Sequence, residues 1–184
     1  MSRLGRQPIA VPSKVEVQIE DRVVRAKGPL GELSEALPEA ARVELKDGKL
    51  LVFIDNLEKN SAIYGTTRMR LANMIHGVAE GFTKSLHIVG VGYRGRLEGG
   101  KLIFQMGFSH PVEVEVPKDL KVVVGPKMIT FDISGASKEQ VGSFAARVRG
   151  LRPPEPYKAT GLQYVGEHIF RKAGKAAAGG EGKK

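Results

Sequence analysis

The 184-residue sequence contains no cysteine and no tryptophan, and only 6% of it is aromatic. Without cysteine there can be no disulfide, no thiolate nucleophile and no Cys-ligated zinc. A cytosolic setting fits that absence. No run approaches the roughly 18 apolar residues a membrane span requires. The opening Met1-Ser2-Arg3-Leu4-Gly5-Arg6 is polar and lacks the apolar stretch of a signal peptide. Ser-x-x-Lys, Gly-x-Ser-x-Gly and Walker-type Gly-Lys-Ser/Thr segments are missing too. The histidines, His76, His87, His110 and His168, stand at no metal-ligand spacing. The sequence therefore supports no enzyme, cofactor, metal or small-molecule substrate.

What is present is charge, unevenly placed. The formal net charge is +9. Residues 1–80 hold 12 Lys/Arg against 11 Asp/Glu, and residues 81–184 hold 17 against 9, so the excess is +1 and then +8. Such asymmetry sets a positive field on one part of the molecule and points to a polyanion, with plain solubility as the bland alternative. No basic amphipathic helix with a broad apolar face appears, which argues against a membrane surface. Charge and apolar residues are otherwise well mixed, and a 41% hydrophobic chain of this length suits one large domain or two small ones.

Alternating runs around compact turns predict antiparallel hairpins. Val15–Ile19 turns at Glu20-Asp21 into Arg22-Val23-Val24. Val43–Lys46 meets Asp47-Gly48 and continues as Lys49–Ile54, the Asp-Gly pair suiting a type I′ turn. Gly99-Gly100 does the same between Tyr93–Glu98 and Lys101–Met106. A first helix is expected from a capping start at Asp55-Asn56-Leu57-Glu58, with Ala62, Ile63, Met69, Ala72, Ile75 and Val78 on its apolar face. A second follows the Ser137-Lys138-Glu139-Gln140 capping box, with Val141, Phe144, Ala145 and Val148 as its stripe. Pro153 and Pro154 end it shortly after Gly150.

The two halves overlay at one offset without a gap. Gly28 meets Gly107 and Pro38 meets Pro117, both 79 residues on. At that shift Val43, Leu45, Leu50, Val52 and Ile54 meet Val122, Val124, Ile129, Phe131 and Ile133. Lys59, Arg68 and Arg70 meet Lys138, Arg147 and Arg149. The shared apolar phase carries the argument, because a one-residue slip would turn a strand's core face to solvent. The expected fold is α+β: two tandem duplicated domains, each an antiparallel β-sheet with one helix packed on one face. The expected divisions are a near-neutral repeat over 1–82, a basic repeat over 83–172 and a mobile basic tail over 173–184. A domain of roughly 80 residues buries under two-thirds of its unfolded surface, and a helix on one sheet face leaves the other open to a partner.

Two glycine motifs tempt and fail. Gly90-Val91-Gly92-Tyr93-Arg94-Gly95 spells G-x-G-x-x-G, the basis of a rival reading as a nicotinamide-dependent enzyme. That fingerprint needs a helix whose N-terminus holds the pyrophosphate, whereas a hairpin is expected here. Gly28-Pro29-Leu30-Gly31 matches the G-x-x-G of KH domains, but its flanks read as strands, so a tight turn is expected.

The informative stretch runs from Arg147 to Tyr164, where Arg147, Arg149 and Arg152 precede Pro153-Pro154-Glu155-Pro156-Tyr157-Lys158. The prolines are expected to hold the backbone extended. Arg and Lys supply charge-assisted bonds to phosphates, Tyr157 can stack on a base or cover a sugar, and Gly161 permits close backbone approach. On chemistry alone this could also be a polyproline ligand for a protein partner or a rigid surface loop.

Pro-Glu-Pro-Tyr-Lys-x-x-Gly-Leu, here Pro154–Leu162, closely resembles the signature of bacterial large-subunit ribosomal protein six. Ser2–Ile9, Gly90–Arg94 and Gly107–Val112 are similar to that family's segments as well, and the resemblance covers residues 1–172. It implies two duplicated α+β domains and binding to large-subunit rRNA, chiefly through the second. It also implies a place near the stalk base and the sarcin–ricin loop, beside neighbouring ribosomal proteins and docking translation factors. The chain departs from the pattern at Ala159, where the family commonly has Gly, and at Thr160, where it usually has Lys. One phosphate-neutralising charge is thereby lost, although a hydroxyl can still donate to phosphate.

The expected RNA-binding residues are Arg94, Arg96, His110, Arg147, Arg149, Arg152, Tyr157, Lys158, Lys172 and Lys175, with Lys183 and Lys184 reaching further along the RNA. Recognition should be mainly of shape and backbone, because structured RNA hides its base edges in a deep, narrow groove. Two alternatives stand beside this. Arg147 and Arg149 recur as Arg68 and Arg70 and so could serve the shared fold, and Tyr157 could be a hydrophobic cap beneath the proline loop.

Overall fold

The structure, a computed structural model, describes residues 3–56 and 59–175. The chain divides into two compact units. One holds the residues up to Phe82 together with Gly135–Gln140; the other holds Thr83–Ser134 and the chain from Val141 onward.

In the first unit, β1 (Ile9–Ala10), β5 (Ala41–Lys46) and β6 (Lys49–Ile54) form one sheet in the order β1-β6-β5. β2 (Glu16–Glu20), β3 (Val23–Gly28) and β4 (Gly31–Ala36) form another in chain order. Every ladder in both is antiparallel. The turn at Asp47-Gly48 has both residues at positive φ, 49° and 69°, as a type I′ hairpin requires. The β2–β3 turn differs by one residue from expectation. It is centred on Asp21-Arg22, with Asp21 at φ 43° and Glu20 paired to Val23, because Asp tolerates the left-handed conformation. Gly28-Pro29-Leu30-Gly31 is a tight turn between paired strands.

The helix α1 (Ser61–Ala79) packs with Ile9, Val24, Ala26, Leu50 and Val52 in a shared core. Its start is a correction. Asn56 sits at φ 53°, outside helical space, and the chain turns through Lys59 and Asn60 N–H bonds to the Asn56 carbonyl before the helix begins. Leu57 and Glu58 of the expected cap lie outside the described residues. The buried stripe is also corrected: Tyr64, Thr67, Leu71, Met74, Ile75 and Val78 face the core, while Ile63 and Met69 are exposed. Those two lie off the regular i, i+3, i+7, i+10 line that starts at Tyr64, so they fall on the solvent side.

The second unit repeats the plan. β8 (Arg94–Glu98), β9 (Lys101–Gln105) and β10 (Val112–Glu115) correspond to β2, β3 and β4 near the 79-residue shift, and pair in the same chain order. β7 (Phe82–Val89), β11 (Leu120–Val124) and β12 (Thr130–Gly135) belong to a sheet ordered β11-β12-β7-β13. β13 (Gly161–Tyr164) has no counterpart in the first half; it pairs antiparallel with β7, Gly161 to Val89 through Tyr164 to Leu86. Thus the tandem α+β plan expected from the offset is present, with the strands of each repeat divided between two small sheets.

The helix α2 (Lys138–Leu151) starts where the capping box places it, with Ser137 Oγ accepting the Gln140 N–H at 3.3 Å. Val141, Phe144, Ala145 and Val148 are its buried face, as the stripe predicts. Phe104 and Phe131 meet edge to face in this core, 5.3 Å between centroids. Gly95 lies against them: a Cβ there would stand 2.7–2.8 Å from their ring atoms. The third glycine of the G-x-G-x-x-G string is therefore a packing glycine in a strand, and no helix follows it.

Candidate nucleic-acid interface

The signature stretch begins where α2 ends. The Arg152 carbonyl accepts the Leu162 N–H at 2.8 Å, closing the base of a loop over residues 153–161. Inside it, the Glu155 N–H donates to the Thr160 carbonyl at 3.0 Å and the Ala159 N–H to the Glu155 carbonyl at 2.9 Å. From outside, the Lys172 N–H donates to the Pro156 carbonyl at 2.8 Å. The expectation of an extended run is thus corrected over Pro156–Lys158, which form a turn. Hydrogen bonds across the loop, rather than proline stiffness alone, set its shape.

Gly161 and Ala159 show what this closure demands. Gly161 has φ +142°, and a Cβ there would meet the carbonyl oxygens of Arg152 and Pro153 at 2.7 Å. This is the close approach foreseen for it. Ala159 is fully buried with φ 57°, a conformation that costs an L-residue about 1–2 kcal/mol. The Thr160 hydroxyl, expected as a possible phosphate donor, instead bonds Glu155 Oε2 at 3.1 Å.

The tip is left to solvent. Tyr157 is 52% exposed and Lys158 is exposed, and neither makes a hydrogen bond or ion pair among the described residues. Ala159, not Tyr157, fills the loop interior, so the reading of Tyr157 as a hydrophobic cap is not what the structure contains. Arg147, on the exposed side of α2, is likewise without a partner among the described residues.

Two of the expected RNA contacts are engaged within the protein. Arg149 forms a two-pronged ion pair with Glu167, Nε to Oε2 at 3.0 Å and Nη2 to Oε1, and its guanidinium lies 5.7 Å from the Tyr164 ring centre. Glu167 Oε2 also accepts the Tyr164 N–H at 2.9 Å. The hydrogen bond from Arg149 holds the Glu167 carboxyl below its ordinary value, helped by the Tyr164 N–H and the Arg149 charge and opposed by partial burial. The same bond raises the guanidinium. Arg152 donates from Nη1 to the Met106 carbonyl at 2.6 Å and sits over the rings of Tyr93 and Phe108, at 5.1 and 5.3 Å. It therefore joins three sequence motifs far apart in the chain: the Gly90–Arg94 turn, the Gly107–Val112 segment and the signature.

The other expected residues are at the surface. Arg94 and Arg96 project from β8, bonded to Gln105 Oε1 at 2.9 Å and Glu98 Oε1 at 3.0 Å. Exposed pairs of this kind hold a charge in place without removing it from a partner's reach. His110, Lys172 and Lys175 are exposed; Lys183 and Lys184 lie outside the described residues, as does the tail beyond Lys175. Sequence reasoning missed Phe170 and Arg171, exposed on the segment that Lys172 ties to the proline loop. An aromatic set among His168, Arg171 and Lys172 was the available signal. Among the described residues no group of His, Asp or Glu is arranged to hold a metal, and no helix is long and apolar enough to cross a membrane.

Comparison with known proteins gives one family. The family model described as "Ribosomal protein L6" matches residues 11–81 and again 89–165. A "Large ribosomal subunit protein uL6" of Pelotomaculum thermopropionicum is 46% identical over 185 residues, covering 100% of both chains. Proteins of the same name from Oenococcus oeni and Synechococcus elongatus are each 46% identical, covering 95% of this chain and 98% of theirs.

Proposed function

Since this chain belongs to the ribosomal protein L6 family, and is a structural, non-enzymatic component of the large ribosomal subunit in the cytoplasm, we propose that it binds large-subunit rRNA mainly through its second repeat. In this reading residues 83–172 form the main RNA-binding domain, and residues 1–82 form a near-neutral partner. Lys158 and Tyr157 at the loop tip, Arg147 on α2, Arg94 and Arg96 on β8, His110, Lys172 and Lys175 face the RNA. Arg149 and Arg152 act behind them, fixing the segments that carry the contacts.

The observation that carries this reading is the loop itself. Its backbone is closed by internal hydrogen bonds while Tyr157 and Lys158 stay exposed and unpartnered among the described residues. A cation held in place without an internal partner is suited to a phosphate, and the +8 excess of residues 81–184 supplies the field that steers it there. Binding lets the protein stabilise folded rRNA near the stalk base and the sarcin–ricin loop, beside other ribosomal proteins and where translation factors dock.

The test is release of the protein from isolated large subunits over a salt series, with footprinting of the particle. Affinity should fall steeply with salt, with a log–log slope of about −0.9 per neutralised duplex phosphate. A flat salt response, or no nucleotide protected at the stalk base and sarcin–ricin region, overturns the reading.

A further inference from the structure

Phe170 is the most exposed aromatic side chain in the described residues, at 78%. Nothing in the fold accounts for it: it packs in no core, and it makes no ring contact with another aromatic or a cation among the described residues. Its backbone, however, is held. Two residues later the Lys172 N–H is fixed to the Pro156 carbonyl, and three residues earlier Glu167 is clamped by Arg149 and the Tyr164 N–H. An exposed apolar ring on a segment pinned at both ends is displayed rather than merely loose.

Beside the ring is a cavity of about 560 Å³ lined by Ala159, Gln163, Glu167, His168, Ile169, Phe170 and Arg171. Gln163 on its wall is tied to the fold. Gln163 Nε2 lies 2.7 Å from His87 Nε2, while Gln163 Oε1 is buried with no hydrogen-bond partner among the described residues. Arg171, which lines the same cavity, and Lys172 follow Phe170 in the chain, and both are exposed. An apolar stacking face, a polar wall and adjacent cations form the combination that takes up an unstacked nucleotide: the ring covers the base and the cations meet its phosphates.

We infer that the His168–Lys172 segment is a binding site for an unpaired nucleotide of RNA, stacked on Phe170, with Arg171 and Lys172 on the flanking phosphates. The inference rests on the RNA-interface reading but differs from it in kind. The loop tip and β8 cations recognise backbone, which duplex RNA presents equally well; Phe170 requires a base out of the stack.

Because the chain has no tryptophan, Phe170→Trp places a single indole reporter at the site, and an exposed position tolerates the change. The full chain is titrated with a short oligoadenylate and with a fully paired RNA duplex of equal phosphate number. The indole emission should be quenched by the oligoadenylate and left nearly unchanged by the duplex. Phe170→Ala should weaken oligoadenylate binding about ten-fold while leaving duplex binding and the melting temperature unchanged. Equal weakening of both RNAs, or of neither, overturns the stacking site. Failure of the wild-type chain to bind either RNA would instead overturn the RNA-interface reading beneath it, so the two failures are distinguishable.

Discussion

The two repeats share a plan and differ in what is added to it. Both place a helix with a similar set of strands, and the 79-residue sequence shift sets Arg70 of one helix against Arg149 of the other, although the buried faces of the two helices do not coincide at that shift. In the first repeat that arginine pairs with Glu35 on a strand of its own sheet, at 2.9 Å, with 63% and 29% of the two side chains exposed. In the second it pairs with Glu167, beyond β13, with only 30% and 23% exposed. The acid on the neighbouring strand is gone: Val114 stands where the 79-residue shift would put Glu35. One arginine braces a strand beside its helix, and the other anchors an extension beyond β13. One sheet of the second repeat has a fourth strand, β13, preceded by a loop, and the loop holds Tyr157 and Lys158, unpartnered among the described residues.

Six substitutions would break or sharpen this comparison. Leu162 of β13 is fully buried. Leu162→Ala should cost about 2–5 kcal/mol in urea unfolding, with hydrogen-exchange protection lost along β7 and β13 and retained in α1. Uniform loss of protection would mean that the extension is not a separable addition.

Next is the arginine pair. Arg149→Ala removes a partly buried, two-pronged hydrogen bond to a charged group and should cost roughly 1.5–3 kcal/mol. Arg70→Ala, at an exposed pair, should cost under about 1 kcal/mol. Equal costs would erase the difference between the repeats. The same pair predicts a pH dependence. The folded pKa of Glu167 lies below its unfolded value, ordinarily about 4.3. Its contribution is therefore complete above that value and is lost as pH falls through the folded one. The stability gap between wild type and Glu167→Gln should be full at neutral pH and narrow below about pH 4.

Lys158→Ala should weaken rRNA binding a few-fold, lower the salt slope by about one and leave the melting temperature unchanged. A fall in melting temperature with normal binding would make Lys158 a residue of the fold. Smallest is Ala159→Gly. Relief of the left-handed conformation outweighs the extra freedom gained by the unfolded chain, so thermal unfolding should show a stabilisation under about 1 kcal/mol. A loss of stability would mean that the buried methyl group matters more than its backbone angle.

Local features were readable in advance, and features depending on distant partners were not. The Asp47-Gly48 and Gly99-Gly100 turns, the Ser137 cap and the α2 stripe each depend on residues within a few positions of one another. The start of α1 was misplaced because Asn56 takes up a left-handed angle that its residue type permits but does not require. Ile63 and Met69 were assigned to the core because apolar character was read without the face that Tyr64 and Leu71 define. At the candidate site, the loop-tip residues were identified by chemistry, whereas Phe170 was passed over because exposure is not written in residue type.

The amino-acid sequence alone determined that there are two repeats, where their Asp-Gly and Gly-Gly hairpins turn, that the second is the cationic one, and which stretch carries its distinguishing chemistry. All of these follow from periodicity, turn propensity and charge, which act between near neighbours or simply add along the chain. Tertiary structure decided that residues 161–164 become a strand, that Arg149 and Arg152 turn inward, and that Tyr157 and Lys158 remain outside. Those outcomes hang on which distant carbonyl, carboxylate or ring lies within hydrogen-bonding or stacking reach. Such distances are fixed only when the chain closes on itself.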